Sequence, residues 1–338
     1  MDNDNSPVQW TEEQWNLVQQ TVRDEARKVR VAASFLPVHG PLAPDAESVS
    51  LQTVIDEAVD YSTTYSFRQR GESEERLLVD DTRTRPLTTI AVNVYLRRSQ
   101  IAQPDLSSPL IMFRRAANII ARVEDSIVFR GQPEPPKNPA DIPKYPAKFN
   151  VRPYIFNVAG GEHFPGLVEA APAKNKVIIR GDLEHLGNNL VEAVVTGIEK
   201  LESCGHLAPF ALVLGPHLFV AAHTPNESLV LPADRIKPLL DGPLLRSSTI
   251  QENQGVLVSL AGDLTDLVVA SDISVRLLQE TLEPRYVYRV SQRFTLRIKK
   301  PEAIVALDWH KPEPGKPESD EPKSGEQKPG ERRRRRRQ

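Results

Sequence analysis

The sequence lacks most of the residues from which disulfides, metal centres and membrane spans are built. Among 338 residues there is one cysteine, Cys204, which excludes an internal disulfide and a multi-cysteine metal site. No uncharged apolar run reaches the ~18 residues that a membrane-spanning helix needs. The N-terminus, Met1 to Ser6, has neither the basic nor the apolar region of a secretory signal. These absences predict a soluble, cytoplasmic protein.

Motifs for catalysis and cofactor binding are absent as well. The sequence has no Gly-x-Ser-x-Gly elbow, no Gly-x-Gly-x-x-Gly loop and no Gly-Lys-Ser/Thr phosphate loop. The seven histidines are scattered, and no two of them have the spacing of a ligand pair on one helix face. The adjacent acids Glu124 and Asp125 point about 100° apart on a helix, so a salt bridge from one of them to a strand arginine is expected instead. We therefore predict no catalytic residue, no cofactor and no metal ligand.

The sequence is rich in proline, and its positive and negative charges are distributed unevenly along the chain. Proline accounts for 29 residues, about 9% against a typical ~5%. Residues 310–338 hold ten Lys/Arg and six Asp/Glu but no aliphatic or aromatic side chain, which predicts a disordered basic tail, whereas the rest of the chain carries a net charge of −6. The tail ends in a candidate patch for non-specific binding to nucleic acid or an anionic surface; a solubilising terminus is the alternative. This patch consists of Arg332, Arg333, Arg334, Arg335, Arg336 and Arg337.

Apolar residues at spacings of three and four predict three helices. The first begins at a capping box, Thr11 to Gln14. The second is a spine over 107–130 that is buried on more than one side and is expected to start with a serine cap. The third covers about 188–203. Alternating or continuous apolar runs predict strands at 63–68, 88–96, 209–214, 256–260, 267–270, 273–279, 286–298 and 303–307.

The order of these elements indicates an α+β protein, because helices and strands mix without a regular βαβ repeat. Two stretches stand apart from the core. Residues 49–81 are polar and predict a long two-strand excursion. The segment 132–153 holds seven prolines and predicts an irregular, surface-exposed insertion.

Six segments in succession resemble landmarks of the encapsulin shell proteins. They occur in family order and span most of residues 10–309. The segments are Thr11-Glu-Glu-Gln-Trp15, Val38-His-Gly-Pro41, Val123-Glu-Asp-Ser-Ile-Val-Phe-Arg-Gly131, Pro209-Phe-Ala-Leu-Val-Leu-Gly-Pro216, Asp272-Ile-Ser274 and Phe294-Thr-Leu-Arg-Ile-Lys-Lys-Pro-Glu-Ala-Ile-Val-Ala-Leu307.

The resemblance implies the tailed-phage major-capsid-like fold of the Hong Kong phage type, with a peripheral domain, an axial domain and an extended loop. The Pro-rich insertion and the basic tail depart from the family pattern. The expected division is an N-terminal helix and arm over 8–44, the extended loop over 45–85, the peripheral domain over 86–131 plus 261–309, the insertion over 132–166, the axial domain over 167–260 and the tail over 310–338.

The resemblance also implies the function: a structural subunit that assembles with copies of itself into an icosahedral nanocompartment around a cargo enzyme, such as a ferritin-like or peroxidase protein. Cargo would bind through a terminal targeting peptide, for which the first helix offers Trp15, Val18 and Val22. The loop containing His217, His223 and Glu227 is expected at a pore for small molecules or ions. A phage-type capsid that packages nucleic acid is the alternative, and a peptidase or bacteriocin-like secreted protein is a more remote one.

Overall fold

The computed structural model describes residues 10–56, 58–59, 74–75, 77–225, 230–280 and 285–310. In this part of the chain no helix has both the length and the apolar character that crossing a membrane requires. The α-helices are α1 (Glu12–Val29), α2 (Arg98–Ile101), α3 (Ser107–Arg130), α4 (Leu167–Ala170), α5 (Leu186–Ser203), α6 (Pro216–Ala222) and α7 (Pro232–Leu240). The strands are β1 (Val38–His39), β2 (Ser48–Ser50), β3 (Thr53–Ile55), β4 (Ala58–Val59), β5 (Glu74–Glu75), β6 (Leu78–Asp80), β7 (Thr84–Pro86), β8 (Thr88–Arg97), β9 (Gly131–Gln132), β10 (Phe156–Gly160), β11 (Phe164–Pro165), β12 (Lys176–Ile179), β13 (Phe210–Leu214), β14 (Leu244–Arg246), β15 (Gln254–Ser259), β16 (Thr265–Glu280), β17 (Arg285–Ile298) and β18 (Ile304–Trp309).

Helix α1 begins at the predicted capping box. The Thr11 hydroxyl accepts from the Gln14 amide at 3.2 Å, and the Gln14 side chain accepts from the Thr11 amide at 3.0 Å. These two bonds satisfy backbone donors that the first turn of a helix leaves free. The buried face of α1 lies against α3, which confirms the predicted stripe.

Helix α3 is the buried spine, and it starts where it was predicted but not in the predicted way. Its N-cap is Leu106, with φ of 51° and no capping side chain, and Ser107 and Ser108 are the first helical residues. The expected serine cap is therefore wrong. Leu106 is fully buried, so packing of this apolar side chain accompanies the turn that opens the helix.

Five strands form the first sheet in the order β1-β16-β17-β8-β10. One face of this sheet packs on α3, where apolar side chains such as Val92, Val94 and Val290 are almost completely buried. Strand β10 lies within the segment 132–166 that was predicted to be an insertion. It pairs antiparallel with β8 from Phe156 to Gly160, so this part of the segment is an edge strand of the sheet.

The proline-rich stretch before β10 is also more ordered than its composition indicates. Residues Pro139–Phe149 form a 3₁₀ helix, and Tyr145, Phe149 and Val151 are buried in the main core. The Ser126 hydroxyl of α3 donates to the Phe149 carbonyl at 2.7 Å. The prediction of an irregular, purely surface-exposed segment is wrong, because aromatic side chains between the prolines anchor it on the spine helix.

The second sheet has the order β12-β18-β15-β13-β14. Alternate residues of its central strands face two different cores: Ala211 and Val213 face the core that contains α3, whereas Phe210, Leu212 and Leu214 face α5, α6 and α7. Strand β18 was predicted in the peripheral domain, with β16 and β17. It lies instead between β12 and β15, in the second sheet.

Three short antiparallel pairs, β2 with β7, β3 with β6 and β4 with β5, form a two-stranded ribbon and confirm the predicted two-strand excursion. The strand predicted at 63–68 and the turn after it lie outside the described residues. The ribbon begins beside the C-terminal end of β17. There the Arg297 guanidinium donates to the Ser50 carbonyl at 3.4 Å, and Lys300, which follows the strand, pairs with Asp56.

Candidate functional site

The candidate binding site is a groove between α1 and the outer edge of β16. Gln19 of α1 reaches this edge with its side-chain amide: its Nε2 donates to the Val275 carbonyl at 2.7 Å, and its Oε1 accepts from the Val275 amide at 3.0 Å. A neighbouring strand would make the same two bonds. One side chain therefore takes the place of a strand at a single position of the edge.

Beyond Val275 the edge of β16 is open. Within the described residues, β1 pairs with this edge at Leu267 and Val268, and no strand continues the pairing towards residue 279. The backbone groups of Leu277 point to the same side as those of Val275, because strand residues alternate. The Leu277 side chain is 51% exposed, and that of its neighbour Leu278 is 46% exposed. Among the described residues, this edge therefore offers backbone groups without a strand partner beside two exposed leucines.

An aromatic cluster lies where the start of α1 meets α3 and β17. Trp10 stacks on Tyr288 with ring centroids 4.6 Å apart, and Trp15 and Phe113 pack within 6 Å of the same ring. The Trp10 indole donates to the Ile101 carbonyl at 3.2 Å, and burial raises the pKa of the Tyr288 hydroxyl above its ordinary value. Trp15 is only partly buried, so it forms part of the groove surface.

Two of the three predicted cargo-binding residues do not face this groove. Val18 and Val22 are fully buried in the contact between α1 and the body, and neither offers surface to a peptide. Their selection from the apolar stripe was wrong, because on an amphipathic helix the stripe is the face that packs. Trp15 stays a candidate. The sequence reading missed Gln19, Leu277 and Leu278, although the adjacent leucines, which break the alternation of the strand 273–279, were a usable signal.

The predicted pore residues lie on and after α6. His217 is in the first turn of this helix, and its Nε2 lies 3.2 Å from a carboxylate oxygen of Glu252. His223 ends the helix, with its ring 4.3 Å from that of Phe219 and its Nδ1 2.9 Å from the Phe219 carbonyl. Both histidines are exposed, and Glu227 lies outside the described residues.

The adjacent acids on the spine helix are both fully buried and both hold the end of α1. Glu124 lies 2.7 Å from the Arg30 guanidinium, whose outer nitrogens also donate to Asp272 at 3.2 Å. Asp125 accepts the backbone amides of Val31 and Ala32 at 2.9–3.1 Å. The prediction of a salt bridge to a strand arginine is wrong, because the arginine that pairs with Glu124 is Arg30, at the end of α1.

Among the described residues, one group of side chains has the spacing that could hold a metal ion, and it lies in the turn before α5. Asp182, Glu184 and His185 place ligand atoms within 4.8 Å of one another, and all three are exposed. The Asp182 carboxylate accepts from His185, which lowers the pKa of that carboxyl. The six arginines of the tail lie outside the described residues.

Comparisons with known proteins show which family this chain is similar to. A family model described as encapsulating protein for peroxidase matches residues 1–135 and 153–295, and the interruption falls within the proline-rich stretch. The diheme-cytochrome-encapsulin shell fusion protein of Kuenenia stuttgartiensis is 26% identical over 90% of this chain and 75% of its own length. The type 1 encapsulin shell protein EncA of Myxococcus xanthus is 26% identical over 88% of this chain and 93% of its own.

Solved structures show the same fold at lower identity. The virus-like particle from Pyrococcus furiosus superposes with a TM-score of 0.59 and 15% identity, covering 88% of this chain and all of that one. The capsid of Myoviridae phage XM1 gives a TM-score of 0.53 and 12% identity over 82% of this chain and 91% of its own. These likenesses show that the chain has the capsid-type α+β fold.

The family match covers most of the chain, and the chain belongs to the encapsulin shell proteins. It is a structural protein and not an enzyme, as the sequence predicted, and assembly into cages follows from the family.

Proposed function

We propose that this chain forms an icosahedral cage around a cargo enzyme and that a terminal targeting peptide of the cargo docks in the groove between α1 and β16. The single observation that carries the docking site is the open edge of β16 beyond Val275. Exposed edges bind extended peptides by adding a strand, with affinity from backbone hydrogen bonds and specificity from side-chain pockets.

The geometry supports an apolar peptide that lies alongside α1. The Gln19 amide occupies one edge position, so the peptide pairs with the residues that follow, starting at Leu277. Leu277, Leu278 and the exposed part of Trp15 then provide apolar contacts for alternate peptide side chains.

The test compares cages purified from the source organism, with co-purifying proteins identified by mass spectrometry. Leu277→Asp should leave particle size unchanged and reduce the co-purifying cargo at least about tenfold, because a carboxylate opposes an apolar contact. Leu183→Asp, at a leucine that is 70% exposed in the turn before α5, is the matched control. Full loading of the Leu277→Asp cage would refute the groove.

We further propose that α6 and the residues after it line a pore in the assembled cage. The His217–Glu252 pair and the exposed His223 support a pH-dependent opening, because histidine side chains ordinarily change charge between pH 5 and 8 and rings of charged side chains select ions. The test measures uptake of a small cation into empty cages at pH 6 and pH 8. His217→Gln/His223→Gln should remove the difference between the two pH values, and a retained difference would count against a gating role.

A second candidate function, packaging of nucleic acid by a phage-type capsid, is favoured only by the tail from Arg332 to Arg337. Many copies of a weakly binding tail on one particle act together, so the association is expected to be strong at low salt and to lack sequence preference. Deleting residues 311–338 should leave the cage intact and remove this association. Nuclease-protected nucleic acid inside wild-type cages would favour packaging over external binding.

A further inference from the structure

The end of α1 is held on the body by an unbalanced cluster of charges. One guanidinium, Arg30, faces three carboxylates: Glu124 and Asp125 on α3 and Asp272 on β16. The Asp272 side chain is 52% exposed, but those of Glu124 and Asp125 are almost completely buried. If all three carboxylates were ionised, the cluster would carry two uncompensated negative charges, which a low-dielectric interior strongly disfavours.

Few other groups are available to share this charge. Among the described residues, β17 contributes the neutral amide of Gln292 beside Glu124, and the segment after α1 contributes the backbone amides of Val31 and Ala32. Asp125 can keep a proton without losing these amides. Its Oδ1 accepts from both of them, at 3.1 and 2.9 Å, and the Val31 amide is shared with Oδ2 at 3.0 Å, so a proton on Oδ2 displaces only that second contact.

The direction of the pH effect follows from burial. Burial, with the adjacent Glu124, raises the pKa of Asp125 to about 8, and burial also raises the pKa of Glu124 above its ordinary value. A carboxyl whose pKa is higher in the folded than in the unfolded protein stabilises the folded state at low pH. That stabilisation is lost as the pH rises through the folded pKa. The attachment of α1 therefore weakens as the pH rises from the ordinary pKa of an aspartate towards the folded pKa of Asp125, which is about 8.

We propose that Glu124 and Asp125 form a proton-dependent lock, which fastens the end of α1 to the spine helix while the pair holds a proton and loosens it as the pH rises from acidic to mildly alkaline. Because the lock holds the C-terminal end of α1, the helix that borders the candidate groove becomes sensitive to pH. The proposal rests on the geometry of the cluster and does not depend on the identity of the cargo.

The test is hydrogen exchange of full-length assembled cages, followed by mass spectrometry of peptides that cover residues 26–36. Protection factors are compared, so that the intrinsic pH dependence of exchange cancels. Between pH 6.5 and 8 we expect protection of this segment to fall by up to about 30-fold, since each pH unit between the unfolded and the folded pKa contributes at most tenfold. Peptides from α5 serve as an internal reference and should change little. Equal protection of residues 26–36 at pH 6.5 and 8 would overturn the proposal, and so would a fall that α5 shares.

Asp125→Asn makes the test specific. The amide keeps the size of the side chain and an acceptor oxygen but cannot ionise, so the fall in protection of residues 26–36 between pH 6.5 and 8 should become much smaller. Asp24→Asn, at an exposed carboxylate of α1 outside the cluster, is the matched control and should keep the full fall. A fall of the same size in Asp125→Asn would show that another group is responsible. If Asp125→Asn does not assemble, the local fall in the wild-type cage decides alone.

Discussion

The two sheets of this protein differ in how many of their faces are buried. The central strands β13, β15 and β18 of the second sheet are buried on both faces, between the core that contains α3 and the core that contains α5. The first sheet is covered by α3 on one face only. On its other face Arg276 lies directly opposite Arg289, and Tyr95 is 57% exposed.

This difference separates strands that are buried on both faces from strands that leave one face exposed. Strands buried on both faces can be apolar throughout, and β13 is buried at all five positions. Like charges placed directly opposite each other on a sheet destabilise it, so the arginine-bearing face is not built for the stability of one chain. The ribbon that leaves the same sheet carries ten acidic and five basic residues over 45–85. The second sheet is thus buried on both faces within one chain, whereas the first sheet leaves a charged face exposed.

The largest expected effect is on the second sheet, which is buried on both faces. Phe210→Ala removes a fully buried ring from β13 and should cost about 3–5 kcal/mol in the free energy of unfolding. The matched substitution in the first sheet, Tyr95→Ala, should cost less than about 0.5 kcal/mol, because the ring is mostly exposed. Urea unfolding of particles at equal subunit concentration measures both. A large loss for Tyr95→Ala would show that another copy covers this ring in the particle.

An intermediate effect is expected where the ribbon joins the first sheet. The buried Asp266 accepts from Arg297 at 2.8 and 2.9 Å and lies 2.7 Å from the Lys299 ammonium. Arg297→Gln leaves Lys299 as the main partner of this carboxylate and should cost about 2–3 kcal/mol. Proteolysis between residues 48 and 86 should become faster, because Arg297 also donates to Ser50 of the ribbon. Unchanged proteolysis would mean that other contacts alone position the ribbon.

The smallest effect tests the exposed arginine face. Arg276→Gln removes one of two like charges that lie opposite each other and should stabilise the chain by about 0.2–1 kcal/mol at low salt. Added salt should reduce this gain, because it screens exposed charges. Arg246→Gln, at an exposed arginine of the second sheet, controls for the loss of charge as such. A gain of the same size in that variant would show that net charge, and not the opposed pair, is responsible.

Local sequence by itself determined the elements with strong local signals. The capping box fixed the start of α1, because both of its hydrogen bonds form within four residues. The alternation at 88–96 and the continuous apolar run at 209–214 correctly located β8 and β13, since these patterns follow directly from the geometry of a strand. The family resemblance likewise rests on short segments, and the fold and the shell family that it implied are confirmed.

Only the tertiary structure decided which surfaces those elements present to one another. Nothing in the residues of β18 shows that it leaves its neighbours β16 and β17 to join the second sheet, because strand pairing across a long sequence separation is not encoded in local pattern. The same reason explains the candidate groove. Val18 and Val22 are two apolar residues of α1, but packing buries them, and the contacts of the candidate groove come from Gln19 and from Leu277, more than 250 residues along the chain. The buried acids Glu124 and Asp125 found their partners at the end of α1, because folding brings that turn onto the spine helix.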